Sequence, residues 1–124
     1  RFHRPLSSDQ VIPTLQNYDV LAVPSQCLET GPLVVFEAFQ AGVPVIGSNL
    51  GGIVELVRHE SDGLLVDSRS VKAWRMALDR FSKDRDLLAR LKTGIRPVRK
   101  MDEVAEEMLL LYRKLIQKST HAYS

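Results

Sequence analysis

Two glutamates, Glu29 and Glu37, stand in the stretch ETGPLVVFEAFQAGVPVIGS with seven residues between them and no other charge among those seven. Carboxylates at such spacing could share a proton, ligate a metal or hold the hydroxyl groups of a ligand. Were the whole span helical, eight steps would turn about 800°, leaving the pair roughly 80° apart in azimuth and about 12 Å apart along the axis. At that separation they cannot share one proton or one metal ion. With Glu29 in a loop and Glu37 inside a helix, each can instead accept hydrogen bonds from a different part of one extended ligand. On spacing alone, two solvated surface acids are the plainer reading.

The residues between the two acids add a second chemistry. Pro32 suits the first helical position, where its missing N–H would lack a partner in any case. The first N–H groups of a helix are unpaired and its dipole is positive there, so that tip favours phosphate. Thr30 supplies a hydroxyl and Gly31 a bare backbone for close approach. Carboxylate, phosphate cradle and carboxylate suit a ligand ordered sugar, diphosphate, ribose.

Alternating strands and helices must carry these groups. VLAVPS (20–25), VPVIGS (43–48) and GLLVD (63–67) are short apolar runs without alternation. They read as strands of a parallel sheet buried on both faces, and RFH at the start reads as a clipped fourth strand. Helical patterns lie between and after them. SSDQVIPTLQNYD offers Ser7 and Ser8 as caps, with Pro13 expected to kink or divide the helix. PLVVFEAFQAG runs from Pro32 to a terminating Gly42, IVELV is a short helix, and RDLLARLKTG stops at Gly94. SVKAWRMALDRF places Val71, Trp74, Leu78 and Phe81 on one face, with Trp74 in the core. The last helix carries the stripe Met101, Val104, Met108, Leu111 and Leu115, with acids early and bases late, as the helix dipole prefers. Residues 1–118 are expected to form the domain and 119–124 a flexible tail.

This alternation gives an α/β fold with a parallel sheet flanked by helices. Ligands in such sheets bind beyond the carboxyl ends of the strands. The loops after Pro24, Ser48 and Asp67 therefore form the candidate functional edge, and the first two hold Glu29, Gly31, Gly51 and Gly52.

Bulk composition bounds the rest. With 124 residues, 44% hydrophobic and 26% charged, the chain is long enough for one ordinary core. A net charge of +2 gives no nucleic-acid surface. The single cysteine, Cys27, excludes an internal disulfide framework and fits a reducing, cytoplasmic compartment. No apolar run has membrane-spanning length. The chain begins at Arg1, so a piece of a longer protein is expected.

The segment PSQCLETGPLVVFEAFQAGVPVIGSNLGGIVELVRHESDGLLVD resembles the nucleotide-sugar half of GT-B glycosyltransferases, above all the large retaining family called group 1 or family 4. The likeness lies in an ordered set. Pro-Ser closes a strand, then follow Glu-x7-Glu, Gly-x-Pro-Val-Ile, Gly-Gly-x-x-Glu (Gly51, Gly52, Glu55) and Asp-Gly-Leu-Leu-Val. The closing AEEMLLLYRKL is also similar to that family's final helix. The resemblance implies a Rossmann-like sheet forming the C-terminal half of a GT-B fold. It also implies transfer of a hexosyl group with retention from a nucleotide-diphospho-sugar, UDP- or GDP-linked, with no further cofactor and no metal.

Residue by residue, the resemblance assigns the ribose hydroxyls to Glu37 and the donor-sugar hydroxyls to Glu29, the latter at the catalytic centre. It brings the backbone of Thr30, Gly31, Leu33 and Val34 to the sugar and diphosphate, with Gly51 and Gly52 close to the donor. Pro32 departs from the glycine that many relatives carry, which changes the amide available to the phosphate. The family's diphosphate-neutralising Arg and Lys have no convincing match, and Arg4 reads as a surface or strand-end residue. The acceptor-binding N-terminal domain is missing, so the piece is expected to be inactive alone.

The remaining candidates are weaker. Gly51-Gly52 is not a Gly-x-Gly-x-x-Gly fingerprint. Glu55 reads as a capping or structural acid, His59 as an exposed loop residue and Cys27 as a bystander thiol. Ser25 lacks the Gly-x-Ser-x-Gly elbow of a hydrolase. RPVRK (96–100) reads as a solvated linker, with contact to the inner face of an anionic membrane as the alternative. A sugar-nucleotide epimerase of the same fold and a non-catalytic nucleotide-binding or assembly module remain open. An exposed strand edge could also pair two copies as a homodimer.

Overall fold

The three apolar runs condense into three parallel strands in a computed structural model, which describes residues 2 and 4–121, with side chains to Lys118 in the last helix. They are β1 (Leu21–Val23), β2 (Val45–Ser48) and β3 (Gly63–Val66), in the spatial order β1-β2-β3. Leu21 stands opposite Val45, and Ile46 opposite Leu64, in register. The helices are α1 (Ser8–Leu15), α2 (Leu33–Gln40), α3 (Gly52–Leu56), α4 (Val71–Lys83), α5 (Leu87–Gly94) and α6 (Met101–His121). The clipped strand expected at residues 1–3 rests on positions outside the described residues, and Phe2 is not in a strand. The tail expected from residue 119 overlaps α6, which continues to His121, and otherwise lies outside the described residues.

Strand β2 is buried on both faces, as its unbroken apolar run requires. On one face Val45 joins Val35 and Ala38 of α2, Val43, Ile53 of α3 and Val57. On the other, Ile46 joins Leu64, Val66, Ala77 of α4, and Leu87 and Leu91 of α5. The two-residue period of a strand sends Val45 and Ile46 to opposite sides, so one strand seeds both halves of the core. β1 departs from the expectation of full burial: Ala22 is exposed, because β1 is an outer strand.

Several local expectations are corrected. Pro13 lies inside α1 without dividing it into two helices. Pro32 is the extended N-cap of α2 (φ −66°, ψ 113°), one position earlier than the first helical residue. The buried stripe of α4 runs through Ala73, Trp74, Ala77 and Phe81, whereas Val71 and Leu78 face solvent. Small alanines set that face because α4 sits close above β3, where a leucine would not fit.

The turn before β3 anchors the end of α5. The Arg58 guanidinium donates to the buried Asp62 carboxylate (2.8 Å) and to the Gly94 carbonyl (2.6 Å). A Cβ on Gly94 would lie 1.7 Å from the Ser61 carbonyl oxygen, so the helix end needs glycine to dock there. This knot fixes the point from which residues 95–100 lead to α6.

Candidate functional site

The loops at the carboxyl ends of β1 and β2 are stitched together. The Gly52 N–H donates to the Glu29 carbonyl at 2.6 Å. Gly51 takes a left-handed φ of 57°, and a Cβ there would stand 3.0 Å from the Glu29 backbone. A Cβ on Gly52 would be 2.5 Å from the Gly31 nitrogen and 2.8 Å from the Glu29 oxygen. Two successive glycines are therefore what allows this turn to lie against loop 29–31. Gly31 itself has φ 100° and open space where a side chain would be. Beyond it, Leu33 and Val34 occupy the first turn of α2, where N–H groups have no intrahelical acceptor.

The Glu29 carboxylate is exposed and held from within its own loop. Ser25 Oγ donates to its Oε1 at 2.9 Å and also lies within hydrogen-bond reach of the Cys27 backbone. Sequence reasoning noted Ser25 only as a failed hydrolase elbow, and missed it as the group that orients Glu29. The Pro-Ser that closes the strand was the available signal. Cys27 is exposed and unpaired as a thiol.

Glu37 is half-buried one turn farther into α2 and lines a cavity of about 650 Å³. Leu33, Phe36 and Gln40 of the same helix share its wall with Glu55 of α3 and with Arg96 and Arg99 of the linker. Glu55, expected as a cap, thus faces the same concavity as Glu37. Its place in Gly-Gly-x-x-Glu was legible, but its neighbour was not, since the two acids come from different helices. Arg99 forms an ion pair with Glu107 of α6. A second cavity, also about 650 Å³, spans all three strand ends and is lined by Gln26, Leu28, Leu50, Ser68 and Arg69. The two cavities share no lining residue, and the Glu29 side chain lines neither. The structure therefore brings together the backbones of Glu29, Gly31, Gly51 and Gly52, and brings Glu37 to Glu55. It does not gather the Glu29 and Glu37 side chains in one cavity.

Other titratable groups serve the frame. His59 is exposed, as expected, yet its Nδ1 accepts the Leu65 N–H at 2.9 Å. The Glu60 carboxyl is held below its ordinary value of 4.5 by the Arg80 guanidinium that donates to it. Hydrogen bonding from Arg90 likewise lowers Asp84. Among the described residues no three His, Cys, Asp or Glu side chains group around a point. No described helix is long and apolar enough to cross a membrane.

Comparison with known proteins gives a consistent picture. A family model described as glycosyl transferases group 1 matches residues 1–97. A D-inositol 3-phosphate glycosyltransferase of Corynebacterium urealyticum is 31% identical over 118 residues, covering 93% of this chain and 28% of that protein. One from Salinispora arenicola is 36% identical over 96 residues, covering 77% of this chain and 21% of its own length. Among solved structures, sucrose-phosphate synthase from Thermosynechococcus elongatus superposes with a TM-score of 0.79 at 29% identity, over 95% of this chain and 30% of that one. The Anabaena protein HepE, solved with UDP and glucose, shares the fold with a TM-score of 0.63 at 20% identity, over 90% of this chain and 29% of its own. The chain thus spans between 21% and 30% of the length of these relatives.

Proposed function

This chain belongs to the group 1 glycosyl transferases, and from that premise we propose that it forms the donor-binding part of a retaining transferase, taking a nucleoside-diphosphate hexose. One observation carries the reading: the Gly52 N–H bond to the Glu29 carbonyl. It draws a side-chain-free turn against the loop that feeds the first turn of α2, and leaves both on the carboxyl edge of the sheet.

In this reading the diphosphate meets the open N–H groups of Leu33 and Val34, with Thr30 and Gly31 beside them. Glu37 accepts hydrogen bonds from the ribose hydroxyls. Glu29 accepts from the hydroxyls of the sugar, its carboxylate preset by Ser25. Gly51 and Gly52 let the donor approach the backbone. An extended ligand crossing the tip of α2 reaches both acids although they line no common cavity. As the glycosidic bond breaks, negative charge gathers on the departing diphosphate, and N–H dipoles already aimed at it favour that state. The cation expected to assist them and the acceptor site belong to the remainder of a longer protein. The 124-residue chain alone is accordingly expected to transfer no sugar.

That HepE was solved with UDP and glucose makes a uridine nucleotide the first ligand to titrate, with GDP as the comparison. Calorimetry of the wild type and Glu37→Ala is the test. A hydrogen bond to a charged acceptor contributes about 1.5–3 kcal/mol, so the variant should lose roughly 10- to 100-fold in affinity for the nucleoside diphosphate. Equal affinity in the two proteins removes Glu37 from the site and favours the assembly-module reading instead.

A further inference from the structure

The last helix leaves its apolar face uncovered. Every residue from Met101 to Lys118 is exposed, and the two core clusters contain none of them. At 100° per residue, Val104, Ala105, Met108, Leu109, Leu111, Tyr112 and Leu115 fall within an arc of about 160°. Met108, Leu111 and Leu115 keep 43%, 49% and 53% of their surface in solvent. An amphipathic stripe of this kind forms stably only against another apolar surface.

Two features specify the occupant. First, Met101, Val104, Met108, Leu111 and Leu115 follow one another at alternating steps of three and four, the spacing of a two-helix seam. Second, the polar margin is split by sign. Asp102, Glu103, Glu106 and Glu107 border the first half, and Arg113, Lys114 and Lys118 the second. A parallel copy would set like charge beside like. An antiparallel copy sets acid beside base and opposes the two helix dipoles. An anionic bilayer is a poorer fit, because membrane-surface helices carry bases along the whole polar face and here half of it is acidic.

We propose that α6 is a self-association surface and that its occupant is α6 of a second copy, antiparallel about a two-fold axis between Met108 and Leu111. Met108 then packs on Leu111 of the second copy, Val104 on Leu115, and Glu107 lies beside Lys114. The interface is isologous, so every substitution acts twice per dimer.

Sedimentation equilibrium of the 124-residue chain tests this, with reductant present so that the exposed Cys27 cannot cross-link chains. A monomer–dimer equilibrium is expected. Leu111→Lys should weaken it at least about a hundredfold, since two apolar side chains are lost per dimer. Because α6 supplies no core residue, the variant's melting of the body serves as the control for folding. Glu107→Lys should weaken the dimer and Glu107→Lys with Lys114→Glu should restore it. A chain that stays monomeric while α6 is helical by circular dichroism overturns the proposal. So does a dimer indifferent to Leu111→Lys, which would point to the β1 edge, or a chain that sediments with anionic vesicles in preference to itself.

Discussion

At the residue scale the glycine turn decides more than the carboxylates do. Gly52 has no room for a methyl group, because its Cβ would fall 2.5 Å from a backbone nitrogen rather than from a side chain that could swing away. Gly52→Ala must therefore push loop 29–31 and the turn apart. Overpacking of this kind costs about 1–3 kcal/mol. The expected outcome is a lowered melting temperature together with loss of nucleotide binding larger than the stability change explains, read by calorimetry below the melting range. Gly31 offers the contrasting control, since its neighbourhood is open and only its positive φ resists substitution. The importance of Gly51 and Gly52 was visible as a motif in the sequence. That they press on Glu29 was not, because more than twenty residues separate the two loops and only the parallel register of β1 and β2 brings them together. Ser25 was hidden for the opposite reason: its role is local, but one hydroxyl four positions from a carboxylate carries no signal until the loop is folded.

At the element scale, the helix and strand positions were legible because apolar runs and periodic stripes record burial directly. The failures fell where bulk ceased to report it. On α4 the large residues Val71 and Leu78 look outward, while Ala73 and Ala77 face the sheet. α4 is also tied to the turn before β3 by the paired Arg80–Glu60 hydrogen bonds, at 2.5 and 3.0 Å. Glu60 takes a left-handed φ of 64° in that turn. Its carboxyl titrates below the ordinary value of 4.5 in the folded chain, chiefly through the bond from Arg80. The contribution is thus present above that ordinary value and is lost as pH falls through the lower folded one. Side chains 40% and 44% exposed are screened by solvent, so the tie contributes less than about 1 kcal/mol. Arg80→Met should lower the urea midpoint slightly at neutral pH, and the difference from wild type should close at pH values below the folded titration. A difference that persists undiminished in acid would show that Arg80 acts through its packing alone.

At the scale of the whole molecule, the sheet and its five nearer helices form a complete two-faced core, and α6 stands apart from it. The fold class was legible because three unalternated runs can be satisfied only by helices on both faces. The separation of α6 was not, since an amphipathic stripe reads the same whether its partner lies within the chain or beyond it. The segment between them, residues 95–100, is short and carries Arg96, Arg99 and Lys100 in exposed positions. The Arg58–Gly94 knot holds everything before it in place.

That junction is also where a protease would find the chain. Trypsin should cut first after Arg99 and Lys100, ahead of the many basic sites inside α4 and α5, because extended exposed backbone fits its cleft and helical backbone does not. Mass spectrometry of a brief digest should therefore recover an intact fragment ending near residue 100, and its survival would measure how little the body relies on the helix it has shed.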